Sequence, residues 1–87
     1  MEKANISFKK MMDSVPLEIQ QEVDLEFAIS NKIYDLMESK GLSKVQFAQA
    51  LGRRPCEVTK WLSGQHNFTI RTIAMLTTFF GEPLIQV

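Results

Sequence analysis

From Val15 to Lys40 the chain alternates apolar and polar positions with a helical period. Ile19, Val23 and Phe27 recur every four residues, and Ile29, Ile33, Leu36 and Met37 continue at 3.6-type spacing. Between Pro16 and Gly41 no Gly or Pro interrupts the pattern. Ser14 or Asp13 stands where an N-cap is needed, with Pro16 at an early position where a missing N–H is harmless. The stripe shifts near Asp24–Leu25, so the pattern predicts one bent helix or two abutting ones, closed by Gly41. Ser43 opens a second helix, with Phe47, Ala48 and Leu51 on one face and Gly52 as its stop. Pro55 opens a third, to Leu62, with Val58, Trp61 and Leu62 inward and Ser63-Gly64 behind it. After the loop Gln65-His66-Asn67, Thr69 caps a fourth helix. Its apolar stripe is Ile70, Ile73, Leu76, Phe79 and Phe80, and Gly81 and Pro83 end it. Residues 1–14 read as an arm with room for one helical turn, and Leu84-Ile85-Gln86-Val87 as an extended tail or short strand. The expectation is an all-α domain of four to five short helices with an N-terminal helical extension.

Composition narrows this. Eighty-seven residues, 45% hydrophobic and 23% charged, support one modest core and no large catalytic cleft. No stretch approaches the roughly 20 apolar residues of a spanning helix. Together with a first segment that lacks an apolar run, and with Cys56 as the lone cysteine, this leads us to expect a cytoplasmic, non-membrane protein without an intrachain disulfide. The ten basic and ten acidic residues cancel, but unevenly. Residues 1–40 hold five basic and eight acidic groups, net −3; residues 41–87 hold five basic and two acidic, net +3. A basic second half points mildly to nucleic acid.

Two short helices over residues 43–62, joined by a tight Gly-containing turn, fit a helix-turn-helix. Ala48 is small enough for a close crossing, Gly52 turns the chain and Val58 plugs the angle. Arg54, Cys56, Glu57, Thr59 and Lys60 are left on the outer side of the third helix. Such a helix suits the DNA major groove, where phosphates position a protein and base edges specify the sequence.

The segment Gly41-Leu42-Ser43, Phe47-Ala48, Leu51-Gly52, Val58, Trp61 and Ser63-Gly64 resembles, element by element and in order, the phage-repressor (Xre-like) helix-turn-helix family. The resemblance covers about half the chain strictly and residues 25–80 loosely. It implies a lambda-repressor-like fold, with an extension over residues 1–23, a DNA-binding domain over 24–81 and a tail over 82–87. The run Trp61-Leu62-Ser63-Gly64-Gln65-His66-Asn67-Phe68-Thr69, with the acidic N-terminal extension, is more narrowly similar to the HigA-type antitoxins, which repress their own operon and neutralise a small ribonuclease toxin. By this resemblance Pro55, Cys56 and Lys60 occupy base-reading positions, with Arg54 just before them. Lys44 matches a phosphate-bridging position, and Ser63, Gln65 and Asn67 match a loop that grips the sugar–phosphate backbone. Two departures stand out. Pro55 and Cys56 are poor readers, which leaves discrimination to Arg54, Glu57 and Lys60. Met37 and Leu62 stand where some relatives bury an Arg–Glu pair, with no expected loss of stability.

Other chemistry finds little support. One His and one Cys, ten residues apart, cannot build a tetrahedral metal site, and no Gly-rich phosphate loop occurs. Neither a cofactor, a metal nor an enzymatic activity is expected. Trp61 reads as a core wedge, Cys56 as a filler, His66 as a loop residue near phosphate, and Phe79 and Phe80 as core or dimer contacts. Lys9 and Lys10 fit a DNA-contacting arm and a solvated charge pair equally. Three functions remain open: a repressor, as a homodimer on a palindromic double-stranded operator; an interaction module whose acidic N-terminal half wraps a small basic toxin; and a helix-turn-helix that has lost DNA binding.

Overall fold

A computed structural model describes residues 15–85. Four helices occupy them: α1 Leu17–Ser39, α2 Lys44–Leu51, α3 Pro55–Trp61 and α4 Ile70–Phe80. Among the described residues there is no strand, and no helix is long and apolar enough to cross a membrane. The expected N-terminal arm, with Lys9, Lys10 and the caps from Asp13 or Ser14, lies outside the described residues, as do Gln86 and Val87.

α1 begins one residue later than the pattern predicts. Pro16 is its N-cap rather than an early helical residue, with ψ at 142°, and its carbonyl accepts from the N–H groups of Ile19 and Gln20 at 3.0 and 3.1 Å. The helix then runs unbroken through Asp24–Leu25 for 23 residues. The shift in the stripe marks a change of packing, not of backbone. C-terminal to it Ile29, Ile33, Leu36 and Met37 are buried, whereas Ile19, Val23 and Phe27, which share the helical stripe, stand 45%, 42% and 47% exposed. The first half of α1 carries no buried residue, although Phe27 lies against Gly64 and Leu25 shares a groove with Phe68 and Ile73.

The core gathers around Phe47, which has no exposed surface. Its ring meets Trp61 edge-on at 6.0 Å and lies 5.6 and 5.3 Å from Phe79 and Phe80. Aromatic groups at such tilts gain from their quadrupoles as well as from burial. Ala48 and Val58, both fully buried, fill the α2–α3 angle as expected, and Trp61 is a core wedge. Two apolar residues depart from their expected places. Ile70, at the first position of α4, is the most exposed large apolar side chain described. Leu84, expected in an extended tail, turns back into the core and is buried, with Ile85 packed beside it. Pro83 blocks helix continuation, and the turn after Gly81 brings Leu84 into the core cluster.

Truncating Phe47 to Ala removes three ring contacts and leaves a cavity, a change worth about 3–5 kcal/mol. Urea unfolding followed by circular dichroism is expected to show that loss, while Tyr34→Ala, on an exposed face, stays within about 0.5 kcal/mol of the parent.

Candidate nucleic-acid interface

The turn between α2 and α3 is built by local chemistry. Ser43 caps α2 through a reciprocal pair: its hydroxyl accepts from the Gln46 N–H at 3.2 Å, and its own N–H donates to the Gln46 side chain at 2.9 Å. At the far end Gly52 takes φ of 68°, a left-handed conformation that side chains with a Cβ resist. There its N–H and that of Arg53 close on the carbonyls of Gln49 and Ala48 at 3.1 and 2.8 Å. The chain therefore turns over three residues, Gly52 to Arg54, and launches α3 at Pro55, whose missing N–H falls where a helix needs none.

Glu57 secures the start of α3 from inside the helix. One carboxylate oxygen accepts the Arg54 N–H at 3.3 Å, and the other accepts from the Arg53 guanidinium at the same distance. The Arg54 N–H, foremost, holds this carboxyl below its ordinary value; desolvation opposes it, and the Arg53 guanidinium and the charge of Arg54 add to the lowering. Arg53 is held further by Met75, whose sulfur lies 3.4 Å from a guanidinium nitrogen. The sequence assigned Glu57 to base reading. The structure instead gives both its oxygens partners in the protein, and the side chain is only half-exposed.

The remaining site residues divide by what their polar atoms already do. Lys44, Arg54, Pro55, Cys56, Thr59, Lys60, Ser63, Gln65 and Asn67 are all exposed. Cys56, Thr59, Lys60 and Ser63 recur at positions three and four apart and share one outward helical face. The Thr59 hydroxyl donates to the Pro55 carbonyl at 3.2 Å. The Ser63 hydroxyl donates to the Lys60 carbonyl at 2.7 Å and accepts from the Gln65 N–H at 3.1 Å, so it shapes the turn rather than offering a proton outward. The side chains of Lys44, Arg54, Lys60, Gln65 and Asn67 keep their donors free among the described residues. His66 is half-buried, its ring edge-on to Phe68 at 4.7 Å.

A residue that sequence reasoning passed over ties this surface to the scaffold. Ser30, buried in α1, donates to the Trp61 carbonyl at 2.6 Å and accepts from the Gly64 N–H at 3.2 Å. Gly64 has φ of 82°, and a Cβ there would lie 2.6 Å from the ring of Phe27. The approach of α1 to the loop thus requires glycine twice over. Ser30 could have been suspected as the one polar residue among Ile29, Ile33 and Met37, but nothing in the sequence names its partners.

Compared with models of protein families, with curated proteins and with solved structures, the chain matches none.

Ser30→Ala strands a buried carbonyl and a buried N–H, each group costing about 1–3 kcal/mol when left unpaired. Urea unfolding is expected to register a loss of at least that size, and hydrogen exchange a selective loss of protection at Gly64. The Glu57 contacts carry a sign with pH. Because the folded carboxyl titrates lower than the unfolded one, its stabilisation is complete above the unfolded value and disappears as pH falls through the folded one. Protection of the Arg54 amide is therefore expected to hold down to about the ordinary glutamate value of 4.5 and to drop only below it. Glu57→Gln is expected to remove that pH dependence.

Proposed function

We propose that the protein is a sequence-specific DNA-binding repressor that acts as a homodimer. The observation that carries this reading is the outward face of α3 and its loop. Arg54, Lys60, Gln65 and Asn67 present free donors there, on a helix whose C-terminal end is fixed to α1 through Ser30. Cations and amides on a rigid support suit a surface of phosphates and guanine edges. With Glu57 engaged in holding α3, base discrimination rests on Arg54 and Lys60, each good contact worth about 1–3 kcal/mol. Lys44, exposed at the start of α2, supplies a phosphate contact.

A seven-residue reading helix offers few contacts, so a second copy supplies the matching half-site. The apolar surface around Ile70, Ala74, Thr77 and Pro83, which bears no charged side chain, is the face we assign to the dimer. Two α3 helices then address successive major grooves of a palindrome, about 34 Å apart. One copy's Leu84 lies in its own core and takes no part.

The finer reading is a regulator of its own operon that also holds a small basic toxin. Its support is the first half of α1: between Leu17 and Ala28 stand Glu18, Glu22, Asp24 and Glu26 with no cation among them, beside exposed Ile19 and Val23.

Fluorescence anisotropy on the DNA upstream of the protein's own gene, against shuffled DNA at two salt concentrations, tests the repressor. Preferential, salt-sensitive binding is expected. Lys60→Ala is expected to weaken binding and relax its specificity. Lys44→Ala should weaken all sequences alike and reduce the salt slope by about one. If both variants bind as the parent does, α3 does not enter the groove.

A further inference from the structure

Beside the reading surface, on the flank of α1 opposite the Phe27–Gly64 contact, lies a groove of about 370 Å³. Its floor is apolar: Leu25 and Ile29 from α1, Phe68 from the loop and Ile73 from α4, with Ile85 closing the far end. Its rim on the α1 side is acidic, formed by Glu18 and Glu22, one helical turn apart. Neither carboxylate has an ion pair among the described residues, whose two salt bridges are Lys32–Glu82 and Arg53–Glu57.

We infer that this groove docks a basic segment of another protein, which sets one or two large apolar side chains on Leu25, Phe68 and Ile73 while its Lys or Arg residues pair with Glu18 and Glu22. The inference rests on the partner-binding half of the function proposed above, and the groove meets the proposed DNA surface at Asn67, which lines it. Size fits the occupant, since the volume falls near the lower end of the roughly 300–1,000 Å³ in which pockets bury compact groups. So does the wall, because Leu25 stands more than half exposed on an amphipathic helix, an apolar contact surface with nothing described above it. Charge decides between occupants. Nucleic acid is repelled by the carboxylates. A second copy docking through its own α1 would bring the same four acidic residues against this rim. A basic chain meets complementary potential along the whole first half of the helix, which also speeds its encounter.

The test needs no DNA. A synthetic 14-residue helical peptide of Leu and Lys is titrated into the ¹⁵N-labelled full chain, with a Leu/Glu peptide of the same pattern as control. Expected are amide shifts centred on Leu25, Ile29, Phe68 and Ile73 with the basic peptide only. Affinity should fall at least tenfold in the exposed double variant Glu18→Lys/Glu22→Lys and remain unchanged in Glu38→Lys, which is on α1 but away from the groove. Circular dichroism confirms that both variants fold. Shifts confined to Ile19, Val23 and Phe27 would overturn the groove while leaving a basic partner on α1. Equal binding of the acidic peptide, or no binding, would overturn both. Concentration-dependent shifts at the groove residues without peptide would assign the groove to a second copy and overturn the inference as well.

Discussion

The hydroxyl of Ser30 accepts one buried N–H and donates to one buried carbonyl, and through them it holds the end of α3 and the start of the following loop against α1. A helix of seven residues has too few internal hydrogen bonds to keep its own orientation. Its direction is imposed from outside, by Val58 and Trp61 in the core and by Ser30 at its last turn. The contact between Gly64 and Phe27 lies beside the same junction: φ of 82° favours glycine there, and a Cβ would push the Phe27 ring aside. The N-terminal end of α3 is fixed differently, by Glu57 reaching back to Arg54 and across to Arg53. The two ends thus rely on separate chemistries, one buried and insensitive to pH, the other exposed and ionic.

This division bears on how the proposed reader discriminates. An acidic residue on the outer side of a recognition helix invites assignment to a base. Glu57 has instead been drawn into holding the backbone, and Ser63 and Thr59 likewise direct their protons to carbonyls of their own helix. What faces outward with free donors is cationic or amide. A surface of that kind favours phosphate and guanine edges over cytosine amino groups, and it places the weight of selection on the geometry of a few long side chains.

Much of the fold was legible in the sequence because its signals were local. Ser43, Gly52, Pro55, Thr69 and Gly81 each mark an element boundary through chemistry that acts within four residues, and the structure uses each where it was expected. Periodicity was less informative. The spacing of Ile19, Val23 and Phe27 equals that of a core stripe, yet whether a stripe is covered depends on where the other helices lie, and sequence spacing carries no such information. Ile70 and Leu84 exchanged expected roles for the same reason. Among the site residues, exposure was legible throughout, whereas the engagement of Glu57, Thr59 and Ser63 depends on rotamers and bond lengths. The pairing of Ser30 with Trp61 and Gly64 spans more than thirty positions and left no mark in any local pattern.

The continuity of α1 has a mechanical side. A helix buried over one half and largely exposed over the other is a lever, and the bonds of Ser30 between the two are its fulcrum. From Leu17 to Ser30 the rod measures about 20 Å, so a sideways displacement of 2 Å at the tip turns it by roughly 6° at the pivot. The short arm beyond the pivot is embedded in the core, and the pivot itself grips the end of α3. Load placed on the exposed half is therefore delivered as torque to a junction between α1 and the end of α3.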